Sequence, residues 1–144
     1  MREGAQGICM NLYRAMKFCI NHHLSWLSKA IYYMIQIMFN CVIPPQVEIG
    51  EGTKIAHGVG IVLHHKTVIG KNCTIMQNVT VGTDQVIIGD NVLLGAGCVV
   101  LGPCKIGDNV KIGANTFVNF DVPDNSTVVG VKGTIISHEN KENA

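Results

Sequence analysis

The chain has 144 residues, a formal net charge of +1 and only 15% charged residues. That length fits one domain, and the small net charge removes the electrostatic case for a nucleic-acid partner. The six cysteines, Cys9, Cys19, Cys41, Cys73, Cys98 and Cys104, form no C-x-x-C and show no metal-ligand spacing, which points to a reduced, cytoplasmic protein without disulfides or a metal site.

Arg2 and Glu3 open the chain, and no apolar stretch with a cleavage site follows, so no signal peptide is expected. From residue 8 to about 40 the pattern is helical: Leu12, Met16, Cys19 and Ile20, Leu24, Leu27, Ile31, Met34 and Ile35, and Met38 recur at three-to-four spacing. Asn21-His22-His23 is a candidate break into two shorter helices. The span 24–43 is unusually apolar, because Trp26, Tyr32, Tyr33 and Phe39 join the aliphatics. It approaches the roughly 20 residues that cross a bilayer, but Lys29 would be costly near the bilayer centre. Three readings stand open: a helix packed on the solenoid end or on neighbouring subunits, peripheral membrane contact with Arg14, Lys17 and Lys29 near headgroups, and a true span, which Lys29 disfavours.

After Pro44-Pro45, which cannot continue a helix, a six-residue period begins. Ile43, Ile49, Ile55, Leu63, Ile69, Ile75, Val81, Ile88, Leu94, Val100, Ile106, Ile112 and Val118 are all aliphatic. Four residues after each stand Val47, Thr53, Val59, Thr67, Cys73, Val79, Gln85, Val92, Cys98, Cys104, Val110, Thr116 and Val122, small or β-branched except Gln85. Glycine follows the aliphatic in seven units, Gly50, Gly70, Gly82, Gly89, Gly95, Gly107 and Gly113, where it is expected to supply the positive φ of a tight corner. A fixed short period means stacked coils of a β-solenoid whose neighbours share one core. The frame breaks twice: two extra residues lie between Ile55 and Leu63, and one between Val81 and Ile88. Such breaks are where loops leave the coil and carry function. The chain thus divides into a helical segment (1–42), a solenoid (43–136) and a polar tail (137–144), with Ser126 to Ile136 expected to hold a terminal strand.

The wording Ile49-Gly50-Glu51-Gly52, Ile69-Gly70-Lys71-Asn72 and Ile106-Gly107-Asp108-Asn109 resembles the hexapeptide-repeat acyltransferases, and most closely the serine O-acetyltransferases with their short, sugar-modifying relatives. The resemblance covers about residues 41 to 136. It implies a left-handed parallel β-helix, three short strands and roughly 18 residues per coil. Left-handed crossovers are rare, so the hand is what the family implies and not what the period dictates. The family's activity would be acetyl-CoA-dependent O-acetylation of a small-molecule hydroxyl by a homotrimer with its sites between subunits.

Ile55-Ala56-His57-Gly58-Val59-Gly60-Ile61-Val62 is similar to the family's active-site motif, which makes His57 the implied general base; an imidazole can accept a hydroxyl proton at neutral pH. With the insertion allowed for, Ile55, Ile75 and Leu94 stand one coil apart, which places His57, Gln77 and Ala96 in one column. Gln77 is a candidate hydrogen-bond partner of acceptor or cofactor, or a turn cap. His64 and His65 are expected to point outward. The cofactor groove carried over from the family uses exposed backbone at Gly82, Thr83, Gly95, Ala96 and Ala114, with Lys111 as a point charge for a CoA phosphate. Cys73, Cys98 and Cys104 read as inward fillers and not as acyl carriers.

Several positions depart from the family pattern. Its carboxylates around the histidine fall here at Ala56 and Val42. The loop that grips an amino acid has shrunk to Gly82-Thr83-Asp84-Gln85-Val86 and offers Asp84 with no evident cation beside it. The usual proline after Gly130-Val131 is Lys132. These gaps weaken L-serine as acceptor and favour a sugar, which needs fewer paired charges. Two other classes compete. A zinc enzyme on the same fold needs three histidines on adjacent coils, and no histidine follows His65 within the solenoid. A non-catalytic solenoid partner is the other, opposed by the intact His57 motif.

Overall fold

The computed structural model describes residues 5–130. Two helices lead the chain, α1 (Ala5–Asn21) and α2 (Ser25–Phe39), separated at the expected Asn21–His23 break, where His23 adopts φ 60°. On α1 the inward residues are Cys9, Met10, Tyr13, Met16 and Cys19. On α2 they are Ser28, Ile31, Ile35 and Phe39. Met34 and Met38, read from the sequence as part of the apolar stripe, point outward instead, 42% and 62% exposed. α2 ends at Asn40, whose left-handed backbone (φ 50°) lets its N–H reach the Gln36 carbonyl at 2.9 Å.

Thirteen short strands follow. The first coil is β1 (Glu48–Ile49), β2 (Lys54–Ile55) and β3 (Val62–Leu63); the second is β4 (Val68–Ile69), β5 (Thr74–Ile75) and β6 (Thr80–Gly82). The third is β7 (Val86–Ile88), β8 (Leu93–Leu94) and β9 (Val99–Leu101); the fourth is β10 (Cys104–Ile106), β11 (Lys111–Ile112) and β12 (Phe117–Val118), with β13 (Thr127–Val128) beginning a fifth. Every pairing is parallel and joins the same strand of successive coils. This gives three flat sheets: β1-β4-β7-β10, then β2-β5-β8-β11-β13, then β3-β6-β9-β12. The architecture is a left-handed parallel β-helix of about four turns. Residues beyond 130, including Lys132, His138 and most of the expected terminal strand, lie outside the described residues.

The repeat residues form the core. Twelve of the thirteen aliphatics are at most 2% exposed, and Ile49 is partly covered. Removing each such side chain from water is worth about 1.5–3 kcal/mol, and stacking makes that removal continuous from coil to coil. The second inward position is also buried in every unit but two, and the exceptions are the two frame breaks. Val59 is 53% exposed and Ile61, at 0%, takes its place; Gln85 is exposed and Val86, at 0%, takes its place. The extra residues therefore sit before the inward position, not after it. Thr53 shows how a polar side chain is tolerated there: its Oγ1 donates to the Gly70 carbonyl at 2.8 Å and accepts from the Cys73 N–H at 3.0 Å.

The glycines do a different job from the one expected. None of the seven that follow an aliphatic has positive φ. Five of them, Gly50, Gly70, Gly89, Gly95 and Gly107, are glycines because coils touch there: a Cβ on Gly50 would lie 2.6 Å from the Gly70 carbonyl carbon, and one on Gly95 2.6 Å from the Ile112 oxygen. The left-handed corners are taken mainly by asparagines, Asn72, Asn78, Asn91, Asn109, Asn115 and Asn125, at φ 54–57°. Asparagine tolerates that conformation and adds a ladder, with Asn91 Nδ2 donating to Asn109 Oδ1 at 3.2 Å and Asn109 Nδ2 to Asn125 Oδ1 at 3.0 Å.

Candidate active site

His57 lies on the edge of the prism between the second and third sheets. Strand register pairs Ile55 with Ile75 and Ile75 with Leu94. On the far side of the corner, the Asn78 N–H donates to the Val59 carbonyl at 3.0 Å, as Gly97 N–H does to Gln77 and Asn115 N–H to Ala96 at 3.0 and 2.9 Å. The residue stacked on Gln77 is therefore Val59. This corrects the expected column: Gln77, Ala96 and Ala114 share it, whereas His57 and the adjoining Gly58 are the two inserted residues and stand outside the stack. His57 is exposed and holds φ 55°, a conformation unusual for a side chain with a Cβ.

Since no coil lies beneath this bulge, the helices support it. Gly58 is buried, and a Cβ there would lie 3.2 Å from Cys9 Cβ and 3.3 Å from Ile55 Cγ2. The Gly60 N–H donates to the Phe39 carbonyl at 3.3 Å, and the Ile61 N–H to Cys41 Sγ at 3.4 Å. The Cys9 thiol is held far above its ordinary range by its hydrogen bond with Cys41 and then by burial. α1 is anchored in turn to the first coil: buried Tyr13 Oη donates to the Val47 carbonyl at 2.7 Å and Lys17 Nζ to Glu48 Oε1 at 2.6 Å. Cys9, Phe39 and Cys41 were not legible as site residues. Cys41 alone carried a hint, since it precedes Ile61 by one coil length. Among the described residues no side chain hydrogen-bonds the His57 imidazole. Ala56 is half-buried, and Val42 bridges to Val62.

The other predicted residues fall on two edges. Gln77, Gly95, Ala96 and Ala114 lie on the His57 edge, and Lys111 is exposed on the adjoining β11 strand. Gln77 is half-buried, and its Oε1 is buried with no hydrogen-bond partner. Gly95 is itself buried, so its missing side chain serves coil packing. Gly82, Thr83 and Asp84 occupy the next edge, between the third and first sheets. A Cβ on Gly82 would meet only Leu101 Cδ2, at 3.9 Å, so that backbone is open. Thr83 has φ 70°, with its hydroxyl 2.8 Å from the Gly82 carbonyl. Asp84 does have a cation beside it: Lys66 Nζ donates to Asp84 Oδ1 at 3.1 Å, and this bond, with the Gln85 N–H at 2.8 Å, holds the carboxyl below its ordinary range. Lys66 was missed because it lies 18 residues away, one coil back. His64 is half-buried and His65 exposed, with ring centroids 4.1 Å apart.

Burial pushes the Cys73, Cys98 and Cys104 thiols up, Cys98 to about 11, which leaves them poor nucleophiles. Among the described residues no three His, Cys, Asp or Glu side chains cluster as a metal site. A cleft of about 700 Å³ lies away from His57, between α1 and the first coil beside Arg14, Phe18, Glu48 and Glu51.

Comparison with known proteins agrees with this architecture. Residues 85–119 match the family model described as bacterial transferase hexapeptide (six repeats). Serine acetyltransferase isoform 3 from Entamoeba histolytica, solved in complex with cysteine, superposes with a TM-score of 0.81 at 32% identity, over 92% of this chain and 50% of that one. The soybean serine acetyltransferase complexed with serine gives 0.80 at 33%, over 92% and 58%. A serine acetyltransferase in complex with CoA gives 0.79 at 33%, over 89% and 55%. The chain spans about half the length of these structures. Among curated proteins none matches the sequence.

Proposed function

We propose, from the premise that this chain is a hexapeptide-repeat protein of the serine O-acetyltransferase-like type, that it transfers the acetyl group of acetyl-CoA to a hydroxyl of a small-molecule acceptor. The observation that carries the reading is the placement of His57: it is displaced from the stack by a two-residue insertion, strained at φ 55° and open to solvent. In the proposed step the imidazole takes the acceptor's hydroxyl proton, the oxygen attacks the thioester carbonyl, and the C–S bond breaks as CoA leaves. The imidazolium then returns the proton to the departing thiolate. No acyl-enzyme is needed, consistent with the raised thiols of buried Cys73, Cys98 and Cys104.

A single chain holds half of the candidate site on each of two edges. A homotrimer in which the Gly82–Asp84 edge of one copy faces the His57 edge of the next would bring them together. The pantetheine arm would then lie along the open backbone of Gly82, Thr83, Ala96 and Ala114, with Lys111 near a phosphate and the Gln77 amide facing the reacting groups.

For the acceptor, two observations pull apart. The Lys66–Asp84 pair sets opposite charges side by side, which suits a zwitterion such as L-serine, and solved relatives carry serine and cysteine. The short loop Gly82–Val86 leaves room for a sugar. The test is thiol release from acetyl-CoA with L-serine and with a panel of sugars, for the wild type, His57→Ala and Asp84→Asn. Serine-dependent release that His57→Ala abolishes and Asp84→Asn weakens is the expected result. Release with sugars alone, indifferent to Asp84→Asn, moves the acceptor to carbohydrate. No release and no CoA binding would overturn the enzyme reading and leave a non-catalytic solenoid.

A further inference from the structure

From residue 5 to residue 47 the chain carries Arg14, Lys17 and Lys29 and no acidic residue. The helical layer therefore brings no acid of its own: Lys17 is paired with Glu48 of the first coil and Lys29 is the exposed cation of α2, whereas the solenoid bears both signs. α2 has a second unusual property. Its inner face is buried by Ser28, Ile31, Ile35 and Phe39, yet its outer face is apolar too: Trp26 is 70% exposed, Tyr33 59%, Ile37 84% and Met38 62%. At 100° per residue, Trp26, Ala30, Tyr33 and Ile37 line one side of the helix with Lys29 among them. A solvated helix normally turns polar residues outward, and a continuous strip of large apolar side chains marks a contact surface.

We infer that the outward face of α2 docks in the plane of an anionic lipid bilayer, with Trp26, Tyr33 and Ile37 at headgroup level and Lys29 reaching the phosphates. Charge favours this occupant over a two-fold contact with a second copy of the chain. A two-fold contact through the same strip would set Lys29 against its own counterpart and bring two acid-free layers together, whereas an anionic surface complements both. The side chains fit as well: tryptophan and tyrosine carry an apolar ring with a polar handle and concentrate at membrane interfaces, and lysine lays its apolar stem along the surface while its ammonium stays among headgroups. The contact is interfacial, because among the described residues no helix is long and apolar enough to cross a membrane. It stands whether or not His57 carries chemistry.

Trp26 is the one tryptophan of the chain, so its fluorescence reports on this face without a label. The full chain is titrated with phosphatidylcholine vesicles and with the same vesicles containing phosphatidylglycerol. The expected result is a blue shift and protection from aqueous iodide with the anionic vesicles, roughly tenfold tighter than with the neutral ones and weakened by salt. Ile37→Glu should lower partitioning by about tenfold or more, and Lys29→Gln by about fivefold. Both side chains are exposed, so unchanged melting curves will separate lost binding from lost folding. The inference is overturned if Trp26 stays open to iodide with both vesicles, or if both bind equally well. It is also overturned if the shift appears without lipid as protein concentration and particle mass rise together, the signature of contact between copies.

Discussion

The same corner of the prism is built four times, and its first copy differs from the other three. Met76-Gln77-Asn78, Gly95-Ala96-Gly97 and Gly113-Ala114-Asn115 turn in three residues, each hydrogen-bonded to its neighbour's backbone at 2.9–3.0 Å. The first corner runs Ala56-His57-Gly58-Val59-Gly60; Cys9 packs against its additional residue Gly58, and Phe39 and Cys41 take hydrogen bonds from Gly60 and Ile61 just beyond. The regular corners show that the repeat needs no such help. In the irregular one, a side chain is freed from stacking where residues outside the repeat support the backbone around it. The helices thus act as a substitute coil under the candidate catalytic residue.

The sharpest way to break this contrast is His57→Gly. Turnover should fall on the order of 10²–10⁴-fold with loss of the base. Thermal stability should hold or rise by roughly 0.5–1 kcal/mol, because glycine accepts positive φ without strain. Opposite movements in the two measurements identify a strained functional residue; a joint loss would make His57 structural.

The next test concerns which residue fills the core at the break. Ile61→Ala should cost about 2–4 kcal/mol in denaturant unfolding, whereas Val59→Ala should change stability by less than about 0.5 kcal/mol. Equal costs would return Val59 to the inward position.

A gentler perturbation acts through α1. Gly58→Ala puts a methyl group 3.2 Å from Cys9 Cβ. It should cost about 1 kcal/mol and lower kcat roughly tenfold by shifting the bulge, while leaving CoA affinity near wild type. Gln77, in a regular corner, offers the control: Gln77→Ala leaves the corner backbone intact, so the two variants should differ in stability.

The smallest effect is a pH dependence. Burial first, and then the nearby Glu48 charge, push Tyr13 from its ordinary 10.0 up to about 12. A raised folded pKa means the native state holds the proton more tightly, so this contribution is fully present below about pH 10 and is lost by about pH 12. Tyr13→Phe should remove that alkaline loss, at the cost of the 2.7 Å bond to Val47, about 1 kcal/mol. An unchanged alkaline profile in the variant would clear Tyr13 of the effect.

Much of this was legible in the sequence. The period of six identified the solenoid and nearly every core position, because a stacked coil presents the same inward site at the same offset each time. The two frame breaks, and with them the neighbourhood of His57, were visible as interruptions of that count. A count alone leaves open which residues of a break are the extra ones. That was settled by backbone bonds between coils, which put Val59 over Gln77 and left His57 outside the column. Contacts one coil apart, such as Lys66 with Asp84, join residues 18 apart in sequence, a separation that composition and local pattern cannot read. Most of the glycines were recognised as obligatory but for the wrong reason, since close approach of one coil to the next is a property of the stack and not of the turn. The outward apolar face of α2 was likewise decided by tertiary structure: two apolar stripes on one helix look alike in sequence, and only packing against α1 chose Ile31, Ile35 and Phe39 for the core and left Trp26, Tyr33 and Ile37 outside.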